Sequence, residues 1–261
     1  MAAGRGGPGA GGGGESKNPS VRLPPPYFAI YPITVRRMAA SNPRFTDALR
    51  SAANAAGQWD RVVNHKFTSE LASGEIDRNV LKNYLIQDHR FLDAFTSLLG
   101  ALICKARCLE DRIPACQFAA LITSDENTYF LRCFEKLGCA DAKEREAVPS
   151  AACTTGFINL MSEVATTGTL GEILSVLVVC EWSYLTWGAR VAPTAKRDHF
   201  ECYEWVDLHS GDGFTGVVNY LRGLLDKEGE LVDEEGRAKC KIRFLQAVQL
   251  EIQFFDNAYA K

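Results

Sequence analysis

The stretch LVVCEWSYLTWG, Leu177–Gly188, sets a thiol, a carboxyl and a phenol into a run that otherwise reads as buried helix. Cys180 and Tyr184 are spaced i, i+4, so their side chains lie one above the other, and Glu181 flanks the same stripe three residues before Tyr184. A glutamate among Leu174, Leu177, Val178, Trp182 and Leu185 is costly unless it is paired, neutralised or turned toward a pocket. Two further helical runs repeat the theme. In NYLIQDHRFLDAF, Asp88 shares a face with Tyr84, Phe91, Leu92 and Phe95; in LQAVQLEIQFFDNAY, Glu251 falls among Val248, Phe254 and Phe255. In GFINLM, Phe157 and Leu160 mark an inward aromatic and aliphatic face. One such acid alone is more often a rim residue or a buried hydrogen-bond partner. Three acids from three helices, with a thiol among aromatic rings, suit a flat, uncharged, nitrogen-rich ring: π faces stack on it and the acids accept its N–H donors.

The elements that must hold these groups are helical. The breaks read at Gly74, Pro114, Gly138, Pro149, Gly168, Pro193, Gly211 and Gly229, with no alternating β pattern between them, so an all-α bundle of about seven or eight helices is expected. ALRSAANAAGQWDRVVNHKFTSELASG is one helical stretch in this reading, and Asp77 is the N-cap of the stretch that carries Asp88. Bundles place ligand sites between facing helices.

Composition narrows the function classes. The 261 residues are 46% hydrophobic and 23% charged with a net charge of −3, which gives no electrostatic reason to expect nucleic acid. No uninterrupted apolar run approaches the roughly 20 residues of a bilayer span, so LGEILSVLVVC reads as a core helix. Nine cysteines stand singly, without zinc spacing or CxxC, which reads as reduced, mostly buried thiols; Cys104 and Cys108, one turn apart, have a packing spacing. His65 and His89 read as surface or capping residues and His199 as exposed, while His209, beside SGDG, either lines the pocket or caps a helix. Residues 1–41 form a Gly- and Pro-rich extension expected to be disordered, with Glu15 the only acid before Met38, so it is either a transit peptide or a nonfunctional extension. The helical domain is 42–261.

The motifs HKFTSELASGEI (65–76), YLIQDHRFL (84–92), GTLGEILSVLVVCEWSYLTWG (168–188), EWVDLHSGDGF (204–214) and LEIQFFDNAY (250–259) together resemble the TenA family of thiaminase II-like aminopyrimidine aminohydrolases, most nearly its plant seed-maturation members. The resemblance runs from about Asn42 to Lys261. It implies a haem-oxygenase-like helical fold without haem. It also implies hydrolysis of 4-amino-5-aminomethyl-2-methylpyrimidine, or its formyl derivative, to the hydroxymethyl pyrimidine, a salvage reaction that needs no metal or cofactor. By the same resemblance Asp88 binds the pyrimidine amino group and ring nitrogen, Cys180 adds to the ring, and Tyr184 and Glu251 assist, with Phe91, Phe157 and His209 at pocket positions; Tyr84 and Phe254, on the faces of Asp88 and Glu251, are expected to join them around the substrate.

Several positions depart from the family pattern. Val179 stands where proline often precedes the cysteine, and Phe91, Phe157 and His209 stand where tyrosines are common. A second branch lacks the cysteine and uses a glutamate one residue later, whereas this chain has both Cys180 and Glu181. Two mechanisms therefore stand open: Cys180 as nucleophile with Glu251 as acid and base, which is favoured because the CxWxY face is kept, or Glu181 or Glu251 activating water beside a passive thiol. Neighbours on a helix point about 100° apart, so Cys180 and Glu181 are not expected at one spot. A haem or redox-cofactor oxygenase on the same fold, and a non-catalytic binding or seed-maturation bundle, are the alternatives from other classes. A homodimer or homotetramer is expected from the family, with no nucleic acid or membrane partner, and a cytoplasmic location unless residues 1–41 direct import into plastid or mitochondrion.

Overall fold

Helix α9 (Leu170–Val191) is the axis of the computed structural model, which describes residues 44–260. Its start is fixed by Thr169. The Thr169 hydroxyl accepts from the Glu172 N–H at 3.3 Å, while Glu172 accepts from the Thr169 N–H at 3.0 Å, a reciprocal cap for two orphan donors. At its other end Arg190 donates to the Val63 carbonyl at 3.0 Å and to Thr68 at 2.6 Å. Every residue from Gly171 to Tyr184 is buried. Together with the turn that follows, Leu170–Thr194 is long and apolar enough to cross a bilayer, longer than the uninterrupted run in the sequence, yet most of it is enclosed by other helices. It is a core helix, and its apolar side chains each gain roughly 1.5–3 kcal/mol from leaving water.

Around it stand α1 (Phe45–Ala55), α2 (Gln58–Val63), α3 (Lys66–Ser73), α4 (Arg78–Lys105), α5 (Leu109–Leu121), α6 (Asn127–Lys136), α7 (Ala142–Ala147), α8 (Ala152–Thr166), α10 (Phe200–Leu208), α11 (Gly211–Leu231) and α12 (Glu234–Ala258). A π-helical turn, Ile122–Glu126, joins α5 to α6, and a 3₁₀ turn, Ala192–Thr194, follows α9. Helices α11 and α12 pack along α9, and α4 lies chiefly on α8 while reaching α9 and α12. Asp77 caps α4 as expected, its carboxylate accepting from the Asn79 and Val80 N–H groups at 2.8 and 3.2 Å.

The all-α reading holds, but twelve α-helices among the described residues replace the seven or eight expected. The stretch taken as one helix is three: Gly57 adopts φ +66°, which L side chains rarely do, and His65 starts a new helix by accepting from the Phe67 N–H through Nδ1 at 3.2 Å. Two expected breaks are absent. Pro114 lies inside α5, where the carbonyl it leaves unbonded belongs to exposed Glu110 and is open to water. Gly229 lies inside α11, where a Cβ would run into the Phe45 ring, so this glycine serves close packing of α1. Cys104 and Cys108 do not share a helix, because α4 ends at Lys105 and Cys108 precedes α5. All nine cysteines are free and six are buried. The extension 1–41 and its transit-peptide reading lie outside the described residues.

Candidate active site

Three helices and the π-helical turn meet at one cavity of about 370 Å³, a figure that includes its solvent-open part. Helix α4 supplies Asp88, Phe91, Leu92 and Phe95; the turn supplies Ile122 and Glu126; α9 supplies Cys180, Glu181 and Tyr184; Trp205 comes from α10 and His209 from its C-terminal cap. Cys180 and Glu181 thus both line the cavity, as neighbouring positions on α9.

The predicted residues fall into two layers. Asp88, Phe91, Cys180, Glu181, Tyr184 and His209 form the wall. Tyr84, Phe157, Phe254 and Glu251 stand behind it, each at most 4% exposed. Phe157 and Phe254 therefore act through Phe91, whose ring they hold at centroid distances of 5.0 and 6.1 Å, rather than by facing the cavity as expected. Tyr84 reaches the wall through the Tyr184 hydroxyl, 2.7 Å from its own. Trp205 and Glu126 are wall residues that the sequence reading missed. For Glu126 the signal was present: it is four residues after buried Ile122 and four before buried Phe130, but the polar run TSDEN disguises that stripe.

Electrostatically the site is an acid cluster without a counter-charge. Burial pushes Asp88 up to about 7, with the Tyr84 hydroxyl opposing. Burial and then the charge of Asp88 push Glu251 up to about 8. Glu181 is raised well above the carboxylate range by burial, then by Glu251 and Asp88. Burial, followed by Glu251 and Glu181, also holds the proton on the Cys180 thiol. Each of these groups is desolvated, and Glu251, Glu181 and Cys180 also face like charge, which favours the neutral forms. One oxygen of Asp88 and one of Glu251 have no hydrogen-bond partner, nor does the indole N–H of Trp205. Buried polar atoms left this way are expensive, and together they offer acceptors and a donor to an incoming polar ring.

His209 is positioned by an absent side chain. A Cβ on Gly188 would collide with the His209 backbone carbonyl, so α9 and the end of α10 meet only because residue 188 is glycine. The His209 ring then lies 4.9 Å from Tyr184 and 4.3 Å from Trp205, and its Nδ1 meets the Trp205 carbonyl at 2.8 Å. A carbonyl only accepts, so Nδ1 carries the proton and Nε2 is left as acceptor. Burial keeps the ring neutral by lowering it to about 4. His65 caps α3 and His199 is exposed, as expected, whereas His89 is neither surface nor cap: it sits half-buried within α4 against Phe130 and Phe134 and bonds the Asn127 side chain at 3.1 Å. No lysine or arginine lines the cavity, so nothing there would take the propionates of a haem. Among the described residues no group of His, Cys, Asp and Glu is arranged to hold a metal ion.

The architecture has known counterparts. A TenA homologue from Pyrococcus furiosus superposes with a TM-score of 0.73 at 21% identity, covering 82% of this chain and all of its own, so the fold is the haem-oxygenase-like helical bundle. In sequence, the chain is 27% identical to the aminopyrimidine aminohydrolase of Halalkalibacterium halodurans over 77% of its own length and 90% of the relative's. It is also 27% identical to the aminopyrimidine aminohydrolase of Bacillus subtilis, over 84% and 91% respectively. The TENA/THI-4/PQQC family pattern matches residues 52–261, a span that takes in every wall residue of the cavity, and by that match the chain belongs to this family.

Proposed function

We propose that the chain is an aminopyrimidine aminohydrolase that converts 4-amino-5-aminomethyl-2-methylpyrimidine, or its formyl derivative, to the hydroxymethyl pyrimidine with release of ammonia, returning the pyrimidine half of degraded thiamin to use. One observation carries the reading: unpartnered polar atoms belong to Asp88 and Trp205 in the wall of an aromatic cavity beside a thiol, with an unpartnered Glu251 oxygen one layer behind. An aminopyrimidine presents N–H donors and acceptor nitrogens on a flat ring, and satisfies both kinds. The likeness to named aminohydrolases over most of the chain supports it.

In the chemistry proposed, Asp88 near 7 is balanced between acid and base and hydrogen-bonds the ring amino group and nitrogen. Cys180 is a thiol at rest, so it passes its proton to a neighbouring carboxylate as its sulfur bonds an electron-poor ring carbon. The electron pair gained by the ring expels ammonia from the methylene. Water adds at that carbon, and the thiol leaves. Glu251 near 8 is mostly protonated at pH 7 and stands behind the wall against the Cys180 thiol, where its ionised fraction takes the thiol's proton and returns it as the thiol leaves. The second route has Glu181 activate water with Cys180 passive; it is favoured by Glu181 sharing the cavity wall and by the thiol's firmly held proton.

Within the family we group the chain with the plant seed-maturation members, on the five motifs quoted above. Exposed Leu109 and Ile113 on α5 offer apolar surface for a homodimer or homotetramer. Free thiols support a cytoplasmic location, which import directed by residues 1–41 would replace with plastid or mitochondrion. Ammonia release from the aminomethyl pyrimidine by purified protein is the test. Pyrimidine binding with no ammonia would leave a binding protein on this fold.

A further inference from the structure

Glu126 enters the cavity from the π-helical turn, where the Asn127 N–H bonds back five residues to the Ile122 carbonyl. Such turns widen a helix locally and recur at functional sites. This one is anchored to the opposite wall. His89, the residue after Asp88 on α4, bonds the Asn127 side chain at 3.1 Å, so the neighbours of the two acids are tied to each other. The wall then carries Asp88, Glu126 and Glu181 with no lysine or arginine, Glu251 behind them, and a buried Asp88 oxygen that has no partner. Glu126 is half-buried as a residue, and desolvation, then the charges of Glu181 and Asp88, push its carboxyl above its usual range. A cation entering the cavity would displace those protons and supply the counter-charge the carboxylates lack.

We infer that Glu126, paired with Glu181, is the subsite for the protonated aminomethyl group, and that it makes the free amine the preferred substrate over the neutral formyl derivative. This rests on the pyrimidine reading above. An alkyl amine is positively charged at neutral pH, as lysine and N-terminal amines are. An ammonium donates charge-assisted hydrogen bonds to both carboxylates, whereas a formamide brings a single N–H and no charge.

The test is calorimetric binding, with turnover alongside, of the aminomethyl pyrimidine and its N-formyl derivative at pH 7. The unmodified protein should bind the amine at least about tenfold tighter, and Glu126→Gln should lose about tenfold or more on the amine while keeping the formyl compound within about threefold. Glu126→Asp, which restores the charge, should recover the preference. Equal losses on both compounds, or an unchanged amine affinity, overturn the subsite. If Glu126→Gln does not fold, the unmodified protein decides: equal affinities, or a formyl preference, overturn it. The two readings fail separately. Glu126-dependent amine binding without ammonia keeps the subsite and removes the hydrolase, whereas ammonia release with no amine preference does the reverse.

Discussion

Helix α9 carries two buried glutamates nine residues apart, and they are opposites. Glu172 is 7% exposed and Glu181 is 9% exposed, so burial does not separate them. Glu172 accepts from the Thr169 N–H and hydroxyl, both at 3.0 Å, and from Arg243 at 3.2 Å. Burial alone would raise its pKa, but the Thr169 bonds and Arg243 outweigh that and lower it, at a helix N-terminus that favours negative charge. Glu181 has only like charges for company. The first acid holds the fold together; the second weakens it and persists for a ligand. Between these two glutamates, partners rather than depth make the difference.

The sharpest way to break this contrast is catalytic. Asp88→Asn and Cys180→Ala should each cut ammonia release by about 10²–10⁴-fold, the range for a lost acid–base or nucleophilic group, while Glu172→Gln stays within about threefold. Full activity in Cys180→Ala would transfer the chemistry to Glu181, whose Gln variant would then carry the loss. The next effect is structural. Glu172→Ala should destabilise by about 3 kcal/mol in urea titration, since it removes a cap and leaves Arg243 with a weaker partner set. Gly188→Ala should cost about 1–3 kcal/mol through the collision with the His209 carbonyl and should weaken pyrimidine binding, read by melting and calorimetry.

The smallest effect has a pH signature. Asp88 and Glu251, raised to about 7 and 8, stay protonated in the folded chain where the unfolded chain ionises them. Their contribution to stability is therefore present below about pH 4 and falls away as pH rises toward 8. Glu251→Gln should then gain about 1–2 kcal/mol at pH 8 and nearly nothing at pH 4.5, in melts taken across that window. Glu172 runs the other way: its lowered pKa adds stability above the unfolded value that is lost on acidification. His209, lowered to about 4, likewise opposes folding as pH drops below 6.5.

Much of this was legible in the residues. Long helices with strong periodicity, α4, α9 and α12, announce themselves, and their acids stand out because they interrupt apolar stripes. Short elements did not: α1, α2 and α3 run together because a glycine in the left-handed region and a histidine cap leave hydrophobic spacing almost unbroken. Pro114 and Gly229 misled in the other direction, since solvent and a packed ring absorb what would elsewhere end a helix. In the site, the layer was invisible to periodicity. Glu251 and Phe157 share the inward faces of their helices but stop one shell short of the cavity, a distinction of depth rather than direction.

The five-residue turn at Ile122–Glu126 has a consequence for descent. Removing any one residue there would let α5 and α6 close into a single regular helix with its two halves in phase, and would take away the local widening from which Glu126 enters the cavity. A single-codon deletion could therefore switch off this acid while the frame of Asp88, Cys180 and Tyr184, on other helices, stays in register. Length differences among relatives at this point are where a change of substrate preference would be written.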